Sequence, residues 1–476
     1  MASNMHSKHH AIMISVPYQG HITPFLNLAL QIASAGFAIT FVHTEHIHHT
    51  LSRVHKDQLD LFSKAREAGL DICYKTISDG FPLEFDRTLH LEEYWESMFV
   101  SFPSIADQFV GEMIRSDPHS VHFLVTDTTF SWTANVATKY NLVNVSFWTE
   151  PALVFSLGYH IDLLQENGHY PAKDDTEELI SYVPGVDSIS TKDLMPYLKE
   201  SESRTLVHRG MVSAFKEVKR ADFILYNTVQ ELESDTLSSL NQENQTNYAI
   251  GPINFMKNGT SMITAVPKSL WAESDCNQWL ETKRPGSVVY VSFGSLVKIS
   301  KRVVEEIAYG ILLSEVNFIW VFREDHEILP RGFEDALSNV DRGLIVPWCD
   351  QITVLSNPAV GGFLTHCGWN SILESIWCGV PMICYPIAFD QPTNRKLVVD
   401  DWRIGTNLCD GLVSVQREAV AEKIGGFING GVAGDLRNEI TSLMEKLHNA
   451  VEIDGSSNRN LDKFISDLKK KLMSWE

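Results

Sequence analysis

Short apolar runs rich in β-branched residues alternate along this chain with longer stretches of helical period. In the first half, the runs that predict strands lie at 11–17, 37–43, 121–127, 143–148 and 222–228. In the second half, they lie at 287–293, 317–323, 343–348, 360–365 and 382–386. Strands that alternate with helices in this way indicate two α/β halves built on parallel sheets.

A segment at 254–270 separates the two sets of strands and lacks a helical or strand period, so we expect a linker there. Residues 1–253 and 271–455 would each form a Rossmann-like domain. The stretch 456–476 carries apolar residues at helical spacing and predicts an amphipathic helix that packs back on the first domain. Two such domains facing each other predict a cleft, with ligands bound at the carboxyl ends of the strands.

Composition excludes several classes of function. The 476 residues include 60 acidic and 39 basic side chains, and the resulting net charge of -21 argues against nucleic-acid binding. The seven cysteines are odd in number and form no Cys-x-x-Cys pair, which is typical of reduced thiols and not of a disulfide framework. Without a signal-peptide pattern or an apolar run of about 20 residues, we expect a cytoplasmic protein without a membrane span.

The first candidate for chemistry is His21, in the segment that follows the opening strand. Pro24 predicts the start of a helix, which places His21 and Gly20 on a strand-to-helix turn. Histidine titrates near neutral pH and can act as a general base. The alternative is a loop histidine without a chemical role.

The second candidate is Asp127, which ends the predicted strand 121–127. A carboxylate there could orient His21 and stabilise its protonated form. The alternative is a helix N-cap, and spacing does not prove that Asp127 reaches His21.

A dense group of histidines follows the second predicted strand, at His43, His46, His48 and His49. We interpret this group as a solvated loop and not as a metal site.

The third candidate is the segment 348–391. A strand there is followed by a helix that contains Glu374, and Asn370 or Ser371 can cap that helix, whose first amides and dipole suit a phosphate. Farther on, Asp390 and Gln391 follow another strand and offer acceptors and donors for sugar hydroxyls.

This segment resembles the signature box of the plant family-1 UDP-glycosyltransferases, which have the GT-B fold, and it spans the same 44 residues without a gap. His21, Asp127 and the segments 147–149, 292–295 and 455–457 also resemble the family. The resemblance implies glucose transfer from UDP-glucose, with His21 as the general base and Asp127 as its partner.

The resemblance also implies a donor site whose residues divide by the part of UDP-glucose that they contact. For uracil and ribose, they are Trp348, the backbone of Cys349, Gln351 and Glu374. For the diphosphate, they are Ser295, His366, Asn370 and Ser371. For the sugar and its surroundings, they are Thr149, Tyr385, Asp390, Gln391, Gly20 and Trp369. A structural tryptophan packed under the phosphate helix is the alternative role for Trp369.

Two departures from the family pattern stand out. Cys349 and Asp350 occupy positions where the family usually has Ala and Pro, which could alter this loop. Tyr385 stands where the family commonly has Trp or Arg, next to the sugar. Gln391, the last residue of the box, favours glucose over galactose.

The acceptor is expected to bind in the first domain, against apolar candidates at Phe81, Phe85, Trp95, Phe99 and Met195. They suit an apolar alcohol such as a terpenoid, diterpenoids included, or a flavonoid.

The expected product is a β-glucoside formed with inversion and without a metal or other cofactor, since no Asp-x-Asp motif is present. We expect a monomer with only small-molecule partners. The open alternatives are a UDP-sugar epimerase of the same fold and a non-catalytic UDP-sugar-binding protein.

Overall fold

The computed structural model describes residues 8–55, 60–173, 176–202, 204–243, 246–256, 269–296, 299–323, 328–333, 341–409 and 415–474. Residues 257–268, most of the predicted linker, lie outside these ranges. By packing, the chain divides into two units. The first unit contains Met1–Lys192, Tyr197–Leu270 and Asn449–Glu476, and the second contains Asp193–Pro196 and Trp271–His448.

A parallel sheet of seven strands lies at the centre of the first unit. Its strands are β1 (His9–Ile14), β2 (Ala38–Thr44), β3 (Ile72–Ile77), β4 (Val121–Asp127), β5 (Val143–Trp148), β8 (Phe223–Tyr226) and β9 (Thr246–Ala249). Their spatial order is β3-β2-β1-β4-β5-β8-β9, and β6 (Leu179–Ile180) pairs separately with β7 (Ile189–Ser190). The central strand β1 is buried on both faces, as its apolar sequence predicts.

The second unit has a six-stranded parallel sheet in the order β12-β11-β10-β13-β14-β15. Its strands are β10 (Val288–Ser292), β11 (Asn317–Val321), β12 (Gly343–Val346), β13 (Val360–Thr365), β14 (Met382–Cys384) and β15 (Gly405–Asn407). Apolar residues of β10, β11 and β13 pack against the flanking helices to form its core. The prediction of two α/β domains with parallel sheets is therefore confirmed.

Helices flank both sheets. In the first unit they are α1 (Gln19–Ser34), α2 (Glu45–Val54), α3 (Ser63–Glu67), α4 (Leu91–Val100), α5 (Phe102–Ser116), α6 (Thr133–Tyr140), α7 (Ala152–Tyr159), α8 (Ile161–Glu166), α9 (Leu206–Val218), α10 (Ser234–Leu240) and the terminal α18 (Ser456–Met473). In the second they are α11 (Asn277–Leu280), α12 (Lys301–Leu313), α13 (Gln351–Leu355), α14 (Trp369–Trp377), α15 (Gln391–Lys396), a π-helix (Leu397–Asp401) and α16 (Arg417–Ile428), while α17 (Val432–Ala450) runs from the second unit into the first.

Short 3₁₀ turns lie in the first unit at Glu200–Glu202 and Ile253–Phe255, and two more, Thr191–Asp193 and Pro196–Leu198, lie where the chain passes from one unit to the other. No helix among the described residues is both long and apolar enough to cross a membrane.

Two local predictions are wrong. Helix α1 begins at Gln19, before Pro24, so His21 lies in the first turn of a helix and not on the turn that precedes it. His46, His48 and His49 lie on helix α2 and not in a loop, because the side chain of Thr44 caps that helix. His43 lies in strand β2 and is buried, so it is not part of a solvated loop either.

The terminal helix α18 packs on the β9 edge of the first unit. Its buried stripe consists of Leu461, Phe464, Leu468 and Leu472. The ring of Phe464 lies 5.6 Å from Phe223 and 5.7 Å from Tyr248, centroid to centroid. Apolar contacts of this kind supply the partner surface that an amphipathic helix needs.

Candidate active site

His21 and Asp127 meet at the carboxyl ends of neighbouring strands. Strand β1 pairs in parallel with β4, and the register sets Ile14 beside Thr126, so the residues that follow both strands lie at one edge of the sheet. The Nδ1 atom of His21 lies 2.6 Å from Oδ2 of Asp127. The side chain of His21 is 18% exposed, whereas that of Asp127 is 1% exposed.

The contacts of Asp127 define the tautomer of His21. The Oδ1 atom of Asp127 accepts a hydrogen bond from the amide of Thr129 at 3.0 Å. An ionised carboxylate can only accept, so the short contact requires the proton of neutral His21 to be on Nδ1. The Nε2 atom then carries the lone pair of a potential base.

Thr149 follows β5 and brings a hydroxyl to the same edge. Its Oγ1 atom lies 3.1 Å from Nδ1 of His21. The sequence predicts a contact between Thr149 and the sugar or its phosphate; in the first unit, the side chain contacts the histidine.

In the second unit, the loop after β12 carries Trp348 and Cys349. Asp350 caps helix α13, and its Oδ1 atom accepts from the amides of Ile352 at 3.1 Å and Thr353 at 3.2 Å. The cap fixes the start of the helix where the family pattern has a proline.

Gln351 lies at the centre of a polar network. Its Nε2 atom donates to Oε2 of Glu374 at 2.6 Å and to Oγ of Ser371 at 3.0 Å. Its Oε1 atom accepts from the hydroxyl of Tyr290 at 3.1 Å. These bonds hold Glu374 and Gln351, the two predicted ribose contacts, next to each other.

The N-terminus of α14 follows the predicted phosphate contact His366. Its N-cap residue is Gly368, and no side chain caps it, so the predicted caps Asn370 and Ser371 are wrong: both lie inside the first turn. Backbone amides at an uncapped helix start suit an anion.

The imidazole of His366 lies between two glycines. A Cβ atom at Gly294 or at Gly368 would come within 2.4 Å of its Nε2 atom, so neither position tolerates a side chain. Burial, with a smaller contribution from Arg323, lowers the pKa of His366 to about 4. His366 is therefore neutral near pH 7 and can offer a phosphate a hydrogen bond but no positive charge.

Two non-glycine residues beside the predicted donor contacts have left-handed backbones. Cys367 has φ of 66° and follows His366, while Phe389 has φ of 56° and precedes Asp390. Such conformations cost about 1–3 kcal/mol and cluster at functional sites.

Ser295 is another predicted phosphate contact. Its carbonyl accepts a hydrogen bond from the guanidinium of Arg323 at 2.8 Å.

The predicted sugar contacts are buried and held in place. The Oε1 atom of Gln391 accepts from the amides of Ile387 at 2.8 Å and Ala388 at 2.9 Å, which leaves its NH₂ group as the end that can donate to a ligand. The side chain of Asn394 donates to the carboxylate of Asp390 and, at 2.9 Å, to the carbonyl of Cys367.

The two remaining aromatic candidates of the second unit differ in burial. Tyr385 is half-buried, with its ring 6.1 Å from that of Phe293. Trp369 is 3% exposed, and its ring lies 6.2 Å from that of Trp402. This packing favours the structural role for Trp369.

The predicted acceptor residues separate into two groups. Phe81 and Phe85 stack at 4.1 Å, and Trp95 stacks on Phe99 at 5.3 Å, all within the first unit. Met195 is fully buried and packs with the second unit, because Asp193–Pro196 belongs there.

A buried ion pair shapes the loop that carries Phe81 and Phe85. The guanidinium of Arg87 donates to both carboxylate oxygens of Asp79, at 2.7 and 2.9 Å. It also donates to the carbonyl of Phe85 at 2.8 Å. Such a bidentate pair fixes the loop more firmly than apolar contact alone.

Across the described residues, one group of side chains has the spacing of metal ligands: His10, Asp117 and His122, with ligand atoms within 4.8 Å of one another. The two Nδ1 atoms of the histidines lie 2.9 Å apart. Both histidines lie near the amino ends of β1 and β4, at the edge of the sheet opposite His21.

Three residues of the second-unit site escaped the sequence analysis: Trp271, whose ring stacks on Trp348 at 4.5 Å, Tyr290 and Asn394. Trp271 is far from Trp348 along the chain, and Tyr290 lies in an apolar strand. Asn394 lies just beyond the end of the box at Gln391, outside the family pattern.

Comparisons with known proteins match both parts of the chain. Residues 258–422 match the family described as UDP-glucoronosyl and UDP-glucosyl transferase, and residues 9–255 match the glycosyltransferase N-terminal domain. The chain is 49% identical to UDP-glycosyltransferase 86A1 of Arabidopsis thaliana, over 98% of this chain and 95% of that protein. It is 33% identical to 7-deoxyloganetin glucosyltransferase of Catharanthus roseus, over 99% and 98%.

Among solved structures, Os79 from O. sativa in complex with UDP matches with a TM-score of 0.80 and 26% identity, over 96% of this chain and 99% of that one. UDP-glucose: anthocyanidin 3-O-glucosyltransferase in complex with UDP matches with a TM-score of 0.82 and 23% identity, over 99% and 100%. These matches confirm the GT-B fold.

Proposed function

Because the chain belongs to the plant family-1 UDP-glycosyltransferases, we propose that it transfers glucose from UDP-glucose to a hydroxyl of a small apolar natural product. The observation that carries the proposal is the 2.6 Å contact between His21 and Asp127 at the carboxyl edge of the first sheet. A protein that only binds a nucleotide sugar does not need a base oriented in this way.

In the proposed reaction, Nε2 of His21 takes the proton of the acceptor hydroxyl as its oxygen attacks the anomeric carbon. The carbon–oxygen bond to UDP breaks on the opposite face, so an α-linked donor gives a β-glucoside. Asp127 keeps the proton of neutral His21 on Nδ1 and stabilises the imidazolium that forms.

The donor would be held by residues of the second unit. Trp348 supplies a half-buried indole for the uracil, and the Gln351–Glu374 pair supplies acceptors for the ribose hydroxyls. The uncapped start of α14 and neutral His366 would stabilise the departing diphosphate, so the proposed chemistry needs no metal. The NH₂ group of Gln391 would donate to a glucose hydroxyl.

The acceptor class follows from the aromatic side chains near the first sheet. The Phe81–Phe85 and Trp95–Phe99 stacks offer apolar faces, which suit a terpenoid or flavonoid alcohol. The protein named 7-deoxyloganetin glucosyltransferase adds weight to terpenoid-like acceptors. We propose that the enzyme works in the cytoplasm as a monomer.

The test is to incubate the purified chain with UDP-glucose, EDTA and a panel of terpenoid and flavonoid alcohols, and to detect hexose addition by mass spectrometry. In parallel, His21→Ala should reduce the rate about 10²–10⁴-fold, because the general base is lost. UDP binding by the variant should not change.

Three outcomes would contradict parts of the proposal. A product that requires added divalent metal would overturn the metal-free chemistry, and a product formed equally well by His21→Ala would overturn the role of His21. Isomerisation of the sugar without an acceptor would favour an epimerase.

A further inference from the structure

Two segments of the second unit run side by side next to the predicted uracil contact. The ring of Trp271 stacks on that of Trp348 at 4.5 Å, and the amide of Ser274 donates to the carbonyl of Trp348 at 2.8 Å. Farther along the two segments, Cys276 and Cys349 are both 3% exposed. The two thiols are close enough to interact with each other.

This thiol pair is connected to the proposed ribose contacts. The Sγ atom of Cys349 lies 3.6 Å from the hydroxyl of Tyr290, which also donates to Oε1 of Gln351 at 3.1 Å. Gln351 in turn donates to Glu374. A displacement of Cys349 therefore affects both Trp348, its neighbour in the chain, and the network that holds Gln351.

We propose that Cys276 and Cys349 form a reversible oxidation site, at which a peroxide joins the two thiols in a disulfide and weakens UDP binding. The effect on UDP rests on the proposed function, which places uracil on Trp348. The disulfide itself does not depend on it.

The chemistry balances with hydrogen peroxide as the oxidant. The thiolate of Cys276 attacks one peroxide oxygen, which gives a sulfenic acid and releases hydroxide. The sulfur of Cys349 then attacks the sulfenic sulfur, the S–S bond forms, and a second hydroxide leaves. With the two thiol protons, the products are one disulfide and two molecules of water.

The two thiols differ in pKa. The hydrogen bond from Cys349 lowers the pKa of Cys276, while the same bond and burial raise the pKa of Cys349. In the proposed reaction, Cys276 acts as the attacking thiolate and Cys349 as the resolving thiol. Each is next in the chain to an exposed residue, Asp275 or Asp350.

A second thiol pair in the same unit provides the contrast. Burial, and then the interaction with Cys384, raises the pKa of Cys367 far above its usual value. Thr365 and Cys384 are register partners on the neighbouring strands β13 and β14, so this pair is part of the sheet interior. We expect it to remain reduced under the same conditions.

A disulfide would shorten the distance between the sulfurs to about 2.05 Å, which is less than hydrogen-bonded thiols occupy. The backbone of Cys349 must follow its sulfur, which would tilt Trp348 and withdraw the thiol from Tyr290. The loss of one stacking or polar contact corresponds to about a tenfold rise in the Kd for UDP.

The experiment uses the full chain, reduced with dithiothreitol or treated with hydrogen peroxide. Calorimetry measures the Kd for UDP, and mass spectrometry of non-reduced peptides maps the disulfide. We expect a peptide pair joined through Cys276 and Cys349, a Kd about tenfold higher after oxidation, and recovery of both in dithiothreitol.

Variants separate this pair from the other thiols. Cys276→Ser should bind UDP like the parent and lose the response to peroxide, whereas Cys73→Ser, which removes an exposed thiol, should keep it. The proposal is overturned if no Cys276–Cys349 peptide forms, if Cys276→Ser responds like the parent, or if the Kd is unchanged in the oxidised protein. The peptide map reports on the pair even if no acceptor is glucosylated, so the two proposals can fail separately.

Discussion

The two units assemble their candidate residues in opposite ways. In the first, His21, Asp127 and Thr149 are far apart along the chain and meet because β1, β4 and β5 are parallel neighbours. In the second, most candidates lie within the continuous stretch 348–391, and their positions depend on turns, caps and residues such as Tyr290. The first site is therefore fixed by the register of a sheet, and the second by the conformation of loops.

This difference predicts that the two sites have separate functions, chemistry in the first unit and nucleotide binding in the second. Disruption of the pair at the first sheet should stop the chemistry and leave nucleotide binding intact. Disruption of the network in the second unit should weaken nucleotide binding first.

The largest effect is expected from Asp127→Asn. The amide of Thr129 needs an acceptor, so the new NH₂ group must face Nδ1 of His21, which forces the proton onto Nε2 and removes the base. We expect kcat to fall about 10²–10⁴-fold, with an unchanged Kd for UDP measured by calorimetry. Asp107→Asn, which changes an exposed pair with Lys139, is the control. A loss of UDP affinity in Asp127→Asn as large as its loss of kcat would contradict this separation of functions.

A smaller and opposite effect is expected from Glu374→Ala. This change removes the acceptor of Gln351 and the proposed partner of the ribose hydroxyls. A hydrogen bond to a charged group contributes about 1.5–3 kcal/mol, so the Kd for UDP should rise roughly 10–150-fold. The measurement is calorimetric titration with UDP, and the rate at saturating donor should fall much less. An unaltered Kd would remove Glu374 from the donor site.

The smallest effect concerns acid stability. Burial lowers the pKa of His10 to about 4 and of His43 to about 3 in the first unit, and of His366 to about 4 in the second. The unfolded chain binds these protons from about pH 6.5 downward. The contribution of these histidines to the free energy of unfolding is therefore complete above that pH. It falls toward pH 4, by at most about 1.4 kcal/mol per pH unit for each histidine.

Burial also lowers the pKa of His46, so among the described residues three such histidines lie in the first unit and one in the second. The first unit should therefore open before the second on acidification. Hydrogen exchange between pH 7 and pH 4, measured by mass spectrometry, can compare peptides from β2 with peptides from β13. Earlier exchange in β13 would contradict this order.

The residues that the sequence could identify are those whose signal is local. The box was recognisable because its members lie in one stretch, and His21 because it follows a strand. The meeting of His21 with Asp127 could not be derived from spacing, since it depends on which strands are neighbours. Trp271 could not be found either, because its contact with Trp348 is a product of packing alone.

The strands show the same limit. In the two parallel sheets, strands β3, β9 and β15 were missed, and all three are edge strands; the short pair β6 and β7 was missed as well. In strand β3 only the first and last of six residues are buried, and in β15 only the first of three. An edge strand needs fewer apolar side chains than a central one, so its sequence lacks the continuous run that marked β1 or β10.

The docking of α18 on β9 has a consequence for biosynthesis. The chain leaves the first unit, builds the whole second unit, and only then supplies the helix that covers the β9 edge. On a translating ribosome, the first sheet must wait with that edge uncovered until the second unit has been made and this helix emerges. Exposed strand edges promote association with other chains. The helix therefore completes the first unit only after the second unit has been synthesised, and the nascent first sheet is most prone to association just before the helix appears.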